Sequence, residues 1–125
     1  MGLVLLDSSV LIALLNSNDI HHEVALKSHT SANQFIISSI SITELMPRAI
    51  REGISDSIWR ALFGITRKVV EVDLEIARAA AALRAHKAMK TPDAIISATA
   101  TGHGAQLWTF DAKLAKETPG ARLLA

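Results

Sequence analysis

Short apolar runs alternate along the chain with longer segments in which apolar residues recur every three or four positions. Such runs are typical of buried strands, and the wider spacing is typical of amphipathic helices. The pattern predicts strands at residues 3–6, 35–37, 68–72, 107–109 and 122–124. It predicts helices at residues 8–15, 20–31, 41–52, 54–67, 74–89, 93–101 and 112–116. Buried strands that alternate with helices indicate an α/β fold, with a short central parallel sheet flanked by helices.

Several predicted helices begin with capping signals. Asp73 precedes one helix, and Thr91-Pro92-Asp93 combines an N-cap threonine with proline at the first helical position. Ser41 and Glu44 have the S-x-x-E spacing of a capping box, which would give Glu44 a purely structural role. Pro47 marks either the first turn of that helix or a kink within it.

Composition narrows the class of protein. The 125 residues suit one domain spanning 1–125, and 50% of them are hydrophobic, which is ample for a core. The net charge of +1 does not by itself indicate nucleic-acid binding, although nine of the thirteen Lys and Arg residues lie between Arg48 and Lys90. Because cysteine is absent, disulfides and thiolate metal sites are excluded. We expect a cytoplasmic protein, since the first apolar stretch contains Asp7 and resembles neither a signal peptide nor a membrane span.

Four of the twelve acids do not lie among polar neighbours. Asp7 and Asp111 follow predicted strands, whereas Glu44 and Asp93 lie in the first turns of predicted helices. Each could cap a helix, but capping does not explain why all four lie at the carboxyl edge of a parallel sheet. Four charges gathered there would repel one another. Mg²⁺ or Mn²⁺ would relieve this repulsion and prefers oxygen ligands, so the pattern favours a hard divalent cation over zinc.

Four segments carry a family resemblance: Leu5–Ala13, Ser41–Leu45, Lys90–Ala100 and Leu107–Asp111. In order and spacing they resemble the PIN domain, and more narrowly the VapC-type toxin ribonucleases of bacterial and archaeal toxin–antitoxin pairs. The resemblance extends over nearly the whole chain and implies one PIN-like domain. The catalytic, metal-binding acids that it implies are Asp7, Glu44, Asp93 and Asp111. The hydroxyl residues that it implies as support for the site are Ser9 and Thr109.

The resemblance also implies the chemistry, a Mg²⁺-dependent endoribonuclease that leaves 5′-phosphate and 3′-hydroxyl ends, with Mn²⁺ as a substitute. The metal would orient a water, lower its pKa and neutralise charge on the scissile phosphate. Asp7 and Asp93 are the expected direct ligands. Glu44 and Asp111 would be ligands too, hold metal-bound waters or complete a second metal site. Phe110 departs from the family, in which a basic or polar residue often stands there, so substrate preference stays open.

Partners are expected around this site. Candidate contacts with the RNA backbone are Arg48, Arg51, Lys87 and Lys90, although for each one alone a solvated helix charge is the simpler explanation. His21 and His22 would point about 100° apart on a helix, so they are poor joint metal ligands, and we interpret them as surface or partner-facing. The resemblance implies two protein partners, a second copy of the chain in a homodimer and an antitoxin that blocks the crevice.

Two other functions remain open. An α/β phosphatase would use Asp7 as its nucleophile, but such enzymes usually need a second Asp two residues later, where this chain has Ser9. A PIN-like module that binds RNA or a partner without cutting is expected to have lost some of the acids, and here all four remain.

Overall fold

The computed structural model describes residues 2–124, and its centre is a five-stranded parallel sheet, which confirms the predicted architecture. The strands are β1 (Leu3–Leu6), β2 (Gln34–Ser38), β3 (Lys68–Val70), β4 (Gln106–Thr109) and β5 (Arg122–Leu123). Their order in the sheet is β3-β2-β1-β4-β5, so the chain moves outward from β1 on one side and later returns to its other side at β4. The direction in which the chain adds strands to the sheet therefore reverses between β1 and β4. Proteins with α/β folds commonly bind ligands at such a point, beyond the carboxyl ends of the strands.

Every predicted helix is present, with shifted boundaries. The helices are α1 (Ser8–Leu15), α2 (His22–Ser28), α3 (Ser39–Arg51), α4 (Ser55–Ile65), α5 (Leu74–His86), α6 (Thr91–Gly102) and α7 (Ala112–Glu117). The largest shifts are at the ends of α2 and α5, each of which stops three residues before its predicted end. Helix α5 stops before the predicted Met89 because Lys87 adopts an extended backbone. Within residues 2–124, no helix is long and apolar enough to cross a lipid bilayer.

The start of α3 shows that the predicted capping box is wrong. The helix follows β2 directly, and the Ser38 side chain accepts a hydrogen bond from the Ile40 N–H at 3.2 Å. Ser41 is buried instead, and its hydroxyl has no hydrogen-bond partner among the described residues. Pro47 lies well inside the helix rather than in its first turn. Glu44 therefore lies in the second turn, where it has no capping role.

The starts of two other helices test the remaining capping signals. The Asp73 side chain accepts a hydrogen bond from the Ile76 N–H at 2.9 Å, which confirms it as the cap of α5. Thr91 is the first residue of α6 rather than its cap, because the preceding Lys90 occupies the N-cap position and makes no side-chain capping bond. Asp93 consequently lies in the first turn of α6 without having to cap it.

Two hydrophobic cores cover the two faces of the sheet, as expected for alternating inward positions along parallel strands. The face with α5, α6 and α7 buries Leu5, Ile36, Val70, Leu107, Ile76, Ala80, Ile96 and Leu114. The face with α1, α3 and α4 buries Val4, Leu6, Phe35, Ile37, Trp108, Val10, Leu11, Leu45 and Leu62. The result is a three-layer α/β/α arrangement in which the strands are buried on both sides.

One buried polar contact fixes α6 against the end of α7. The Thr118 hydroxyl donates to the Ser97 hydroxyl oxygen at 2.9 Å, and both residues are buried. Because α6 carries Asp93 and α7 follows Asp111, this bond holds together the two elements that bear these acids.

We expect Ser97→Ala to lower the free energy of unfolding by about 1–3 kcal/mol, because it leaves the buried Thr118 hydroxyl without a partner. Thr118→Val should have a similar cost for the same reason. The double variant should cost less than the sum, since it leaves neither hydroxyl unpaired. Urea unfolding of the four proteins measures the coupling, and strictly additive costs would contradict it.

Candidate active site

Asp7 lies between β1 and α1 and is the buried acid of the site, with only 6% of its surface exposed. One carboxylate oxygen accepts from the Ser8 N–H at 2.8 Å. The other accepts from the Ser9 hydroxyl at 2.9 Å and from the Thr109 hydroxyl at 2.7 Å. Three donors therefore satisfy the buried charge, as such a group requires. Asp7 is thus both a helix cap and a carboxylate held in one orientation.

The two hydroxyls around Asp7 also organise the segment that follows β4. Ser9 accepts from the Phe110 N–H at 3.1 Å, and Thr109 accepts from the Asp111 N–H at 3.0 Å. Each hydroxyl thus donates to Asp7 and accepts from the backbone on the way to α7. This geometry is consistent with the supporting role predicted for Ser9 and Thr109, and it places the start of α7 beside Asp7.

Asp93 faces this site from the first turn of α6 and is half-buried. Burial raises its pKa, and the charges of Asp111 and then Asp7 raise it further. Lys90 and Lys113 oppose the increase but do not cancel it. Lys113 is not among the predicted site residues, although its position in the first turn of α7, two residues after Asp111, was a usable signal.

Glu44 approaches from α3 with an exposed side chain. Partial burial of its carboxyl raises its pKa, as does the charge of Asp7 and, more weakly, that of Asp93. The Ser8 side chain opposes the increase. Glu44 therefore shares one electrostatic environment with the acids that follow β1 and begin α6.

Asp111 completes the set as an exposed residue whose carboxylate caps α7. It accepts from the N–H groups of Lys113 at 2.9 Å and Leu114 at 3.2 Å. We call Asp7, Glu44, Asp93 and Asp111 the acidic cluster. All four lie at the carboxyl edge of the sheet beside the reversal between β1 and β4, where the sequence predicted them.

The donor chemistry of the acidic cluster fits a hard divalent cation. Within residues 2–124, no three Asp, Glu or His side chains lie close enough together to enclose a metal ion. Mg²⁺, however, keeps several of its waters and is commonly held by only one or two carboxylates. Burial and then repulsion between neighbouring carboxylates raise the pKa values of Glu44 and Asp93, so a cation placed among them would lower the electrostatic energy of the site.

The four predicted RNA contacts have different surroundings. Lys90 faces Asp93 and therefore lies at the acidic cluster. Lys87 is directed elsewhere, because its ammonium donates to the Glu117 carbonyl at 2.9 Å and lies 3.8 Å from the Glu117 carboxylate. Arg48 pairs with Glu52 at 3.0 Å on the exposed side of α3, and Arg51 is exposed near the end of the same helix.

The two adjacent histidines, which the sequence predicts to be surface or partner-facing, are half-buried and also make contacts within the fold. The His21 ring stacks on the Phe110 ring, with centroids 4.2 Å apart and planes 10° from parallel. His22 Nδ1 lies 2.6 Å from the Ala13 carbonyl oxygen in α1. These contacts depend on the path of the chain after α1, which places the two histidines beside α1 and the residue that follows β4. No local sequence pattern predicts this path.

A groove leads from the acidic cluster along α3. It has a volume of about 310 Å³ and begins at Glu44. Its apolar lining comes from α1, α3, α4 and the residue before α4, and consists of Ile12, Leu15, Leu45, Ala49, Ile54 and Ile58. Arg48 and Glu52 line it as well. We refer to this feature as the apolar groove.

Comparison with known proteins agrees with this geometry. A chain in a toxin–antitoxin complex from Klebsiella pneumoniae is 31% identical, with a TM-score of 0.79 and 95% coverage of both chains. DNA-bound VapBC from Salmonella typhimurium is 24% identical, with a TM-score of 0.72 and coverage of 98% of this chain and 96% of that one. VapC20 from Mycobacterium tuberculosis, described as a toxin that cleaves the sarcin–ricin loop, is 18% identical, with a TM-score of 0.72 and coverage of 90% and 93%.

Family models give the more direct assignment. A search of curated protein sequences finds no significant match. The model of the PIN domain, by contrast, matches residues 4–118. This span contains β1 apart from Leu3, the strands β2 to β4, and every residue of the acidic cluster. On this match and on the 31% identity to the Klebsiella chain, the protein belongs to the PIN domain family.

Proposed function

We propose that this protein is a metal-dependent endoribonuclease that acts as the VapC-type toxin of a toxin–antitoxin pair in the cytoplasm. The observation that carries the proposal is the acidic cluster, in which a buried, fully hydrogen-bonded Asp7 lies beside three acids from other elements. Membership of the PIN family and the likeness to a toxin–antitoxin complex support the same conclusion.

Mg²⁺, or Mn²⁺ in its place, would be held by Asp7 and Asp93, with Glu44 and Asp111 as further ligands or as acceptors for coordinated waters. When bound, such an ion lowers the pKa of water and neutralises charge on a phosphate. The hydrogen bonds to Asp7 fix its orientation before substrate arrives. Burial and then the neighbouring carboxylates raise the pKa values of Glu44 and Asp93, so a bound cation would offset an unfavourable charge at both groups.

Cationic side chains near the acidic cluster would hold the RNA backbone. Lys90 and Lys113 are the two ammonium groups that act on Asp93, so both are near the expected position of the scissile phosphate. Arg48 and Arg51 extend the positive charge along α3. Lys87 would have to leave Glu117 to take part. Contacts of this kind add affinity and salt dependence but little choice of sequence.

The apolar groove is where we place the antitoxin. Its apolar lining suits the nonpolar face of an amphipathic segment, and its end at Glu44 lets a basic side chain of that segment reach the acidic cluster. An antitoxin bound in this way would exclude RNA from the cluster. We also propose that the toxin forms a homodimer.

The environment of Asp7 argues against the phosphatase alternative. Such enzymes usually need a second Asp two residues later, whereas this chain has Ser9 there, and the Ser9 hydroxyl donates to the Asp7 carboxylate at 2.9 Å. A module that binds RNA without cutting it remains the second candidate, and cleavage assays separate it from the nuclease.

We expect Asp93→Asn to reduce cleavage of a cellular RNA pool by about 100-fold or more in Mg²⁺, because it removes a charged ligand of the proposed cation. Asp7→Asn should have an equal effect. Asp56→Asn is the matched control, since Asp56 is also a first-turn acid but lies on α4. Full activity of both folded site variants, or of the wild type in EDTA, would contradict the metal-dependent mechanism.

We expect Glu44→Gln to stabilise the metal-free protein at neutral pH by less than about 1 kcal/mol, since the charge that it removes is repelled but exposed. The pKa of Glu44 is raised in the fold, so its ionisation costs stability above that pKa, and the benefit of the substitution should vanish toward acidic pH. Thermal melts in EDTA and in Mg²⁺ measure this effect. The variant should also gain less from Mg²⁺ than the wild type, and Glu75→Gln on α5 should behave like the wild type.

We expect Ile54→Glu to weaken binding of the cognate antitoxin at least tenfold, because it places a charge in the apolar groove where an isoleucine side chain would be buried. Ile54 is 45% exposed in the free protein, so the substitution should leave the fold and the cleavage of RNA intact. Leu74→Glu, at a residue that is 73% exposed outside the groove, is the control. Titration calorimetry gives the affinities, and equal losses in both variants would refute this location.

A further inference from the structure

One feature beside the acidic cluster has no part in the proposed chemistry, the parallel stack of His21 on Phe110. Phe110 stands between Thr109, which donates to Asp7, and Asp111, a member of the cluster. The chain has only three Phe, two Trp and no Tyr, so Phe110 is one of five such aromatic residues.

Hydrogen bonds of the backbone position both residues of the stack. The Phe110 N–H donates to the Ser9 hydroxyl, which itself donates to Asp7, and the Phe110 side chain packs against the core on the α1 side of the sheet. The His21 N–H donates to the Asp19 carboxylate at 2.8 Å. At Phe110 the backbone that carries the stack is therefore joined to the hydrogen bonds that orient Asp7.

The stack is also open to solvent in part. His21 and Phe110 are both half-buried, unlike Phe35 and Trp108, which are fully buried in the same core. Phe110 packs against that core, and the His21 imidazole stacks on its ring. A flat, partly exposed ring of this kind can receive another flat ring by stacking.

We propose that an unpaired base of the RNA, next to the scissile phosphate, stacks on His21, with Phe110 supporting the imidazole from behind. Proteins recognise single-stranded RNA by stacking its unpaired bases on aromatic side chains, including histidine. The stack then selects an unpaired nucleotide at the point of cleavage, whereas the lysines only hold the backbone. This inference rests on the proposed ribonuclease function and assigns the residues that would receive the unpaired base.

The test uses short single-stranded RNAs cut by the wild type, with 2-aminopurine placed in turn on each side of the cleaved bond. Binding is measured in the Asp93→Asn background, so that the RNA stays intact. Stacking on His21 quenches the 2-aminopurine fluorescence at one position. His21→Ala should abolish that quenching and weaken binding about tenfold. His21→Tyr, which keeps a ring, should retain both.

Three further measurements keep the inference distinct from its alternatives. An abasic site at the quenched position should remove the difference in affinity between the wild type and His21→Ala. In the active protein, His21→Ala should raise KM more than it lowers kcat, whereas Phe63→Leu on α4 should change neither. Unchanged quenching in His21→Ala, or a loss of affinity that persists with the abasic RNA, would show that the stack serves only to hold α2 against β4.

Failure of the proposed function gives a different result. If the wild type cuts no RNA, the nuclease proposal is wrong, and the 2-aminopurine position is then scanned along an uncut single-stranded RNA. His21-dependent quenching in that experiment still supports the stacking site. If the wild type cuts RNA but His21→Ala binds and cuts as well as the wild type does, the stacking inference alone is overturned.

Discussion

The hydrogen bonds to the buried carboxylate of Asp7 are the constraint on which the rest of the site depends. Removing a charge from water is costly unless donors replace the lost solvation, and Ser8, Ser9 and Thr109 supply them. No lysine or arginine within residues 2–124 forms an ion pair with Asp7. A neutral set of donors leaves the negative charge in place, and a cationic partner would have neutralised it. The fold thus stabilises Asp7 while keeping its charge available to a ligand.

The other acids are arranged on a different principle. Glu44 and Asp93 have pKa values raised by burial and by neighbouring carboxylates, so the fold tolerates repulsion at this edge of the sheet. Electrostatic repulsion of this kind is typical of sites whose geometry serves the binding of a ligand rather than the stability of the free protein. The Lys90 and Lys113 charges limit the repulsion at Asp93 without pairing with it closely. The divalent cation that we propose would match four carboxylates and few competing cations.

Much of this arrangement could be predicted from sequence, because the alternation of strands and helices defines which residues share an edge. The positions of Asp7 and Asp111 could be predicted from the ends of two apolar runs alone. The capping box at Ser41 was wrong because Ser38, inside the predicted loop, is the better-placed cap once β2 extends to it. The His21–Phe110 stack could not be predicted, since it joins residues 89 positions apart through the path of the chain after α1.

The two sides of the acidic cluster differ in their hydrogen bonding and in their exposure to solvent. Asp7 and the start of α7 are joined by Ser9 and Thr109 through several hydrogen bonds, and the aromatic stack rests on the same network. Glu44, on the opposite side, is exposed and stands at the mouth of the apolar groove. An occupant of that groove would therefore meet an exposed acid of the cluster. Inhibition through Glu44 could displace a ligand from the cluster while the geometry around Asp7 stays unchanged.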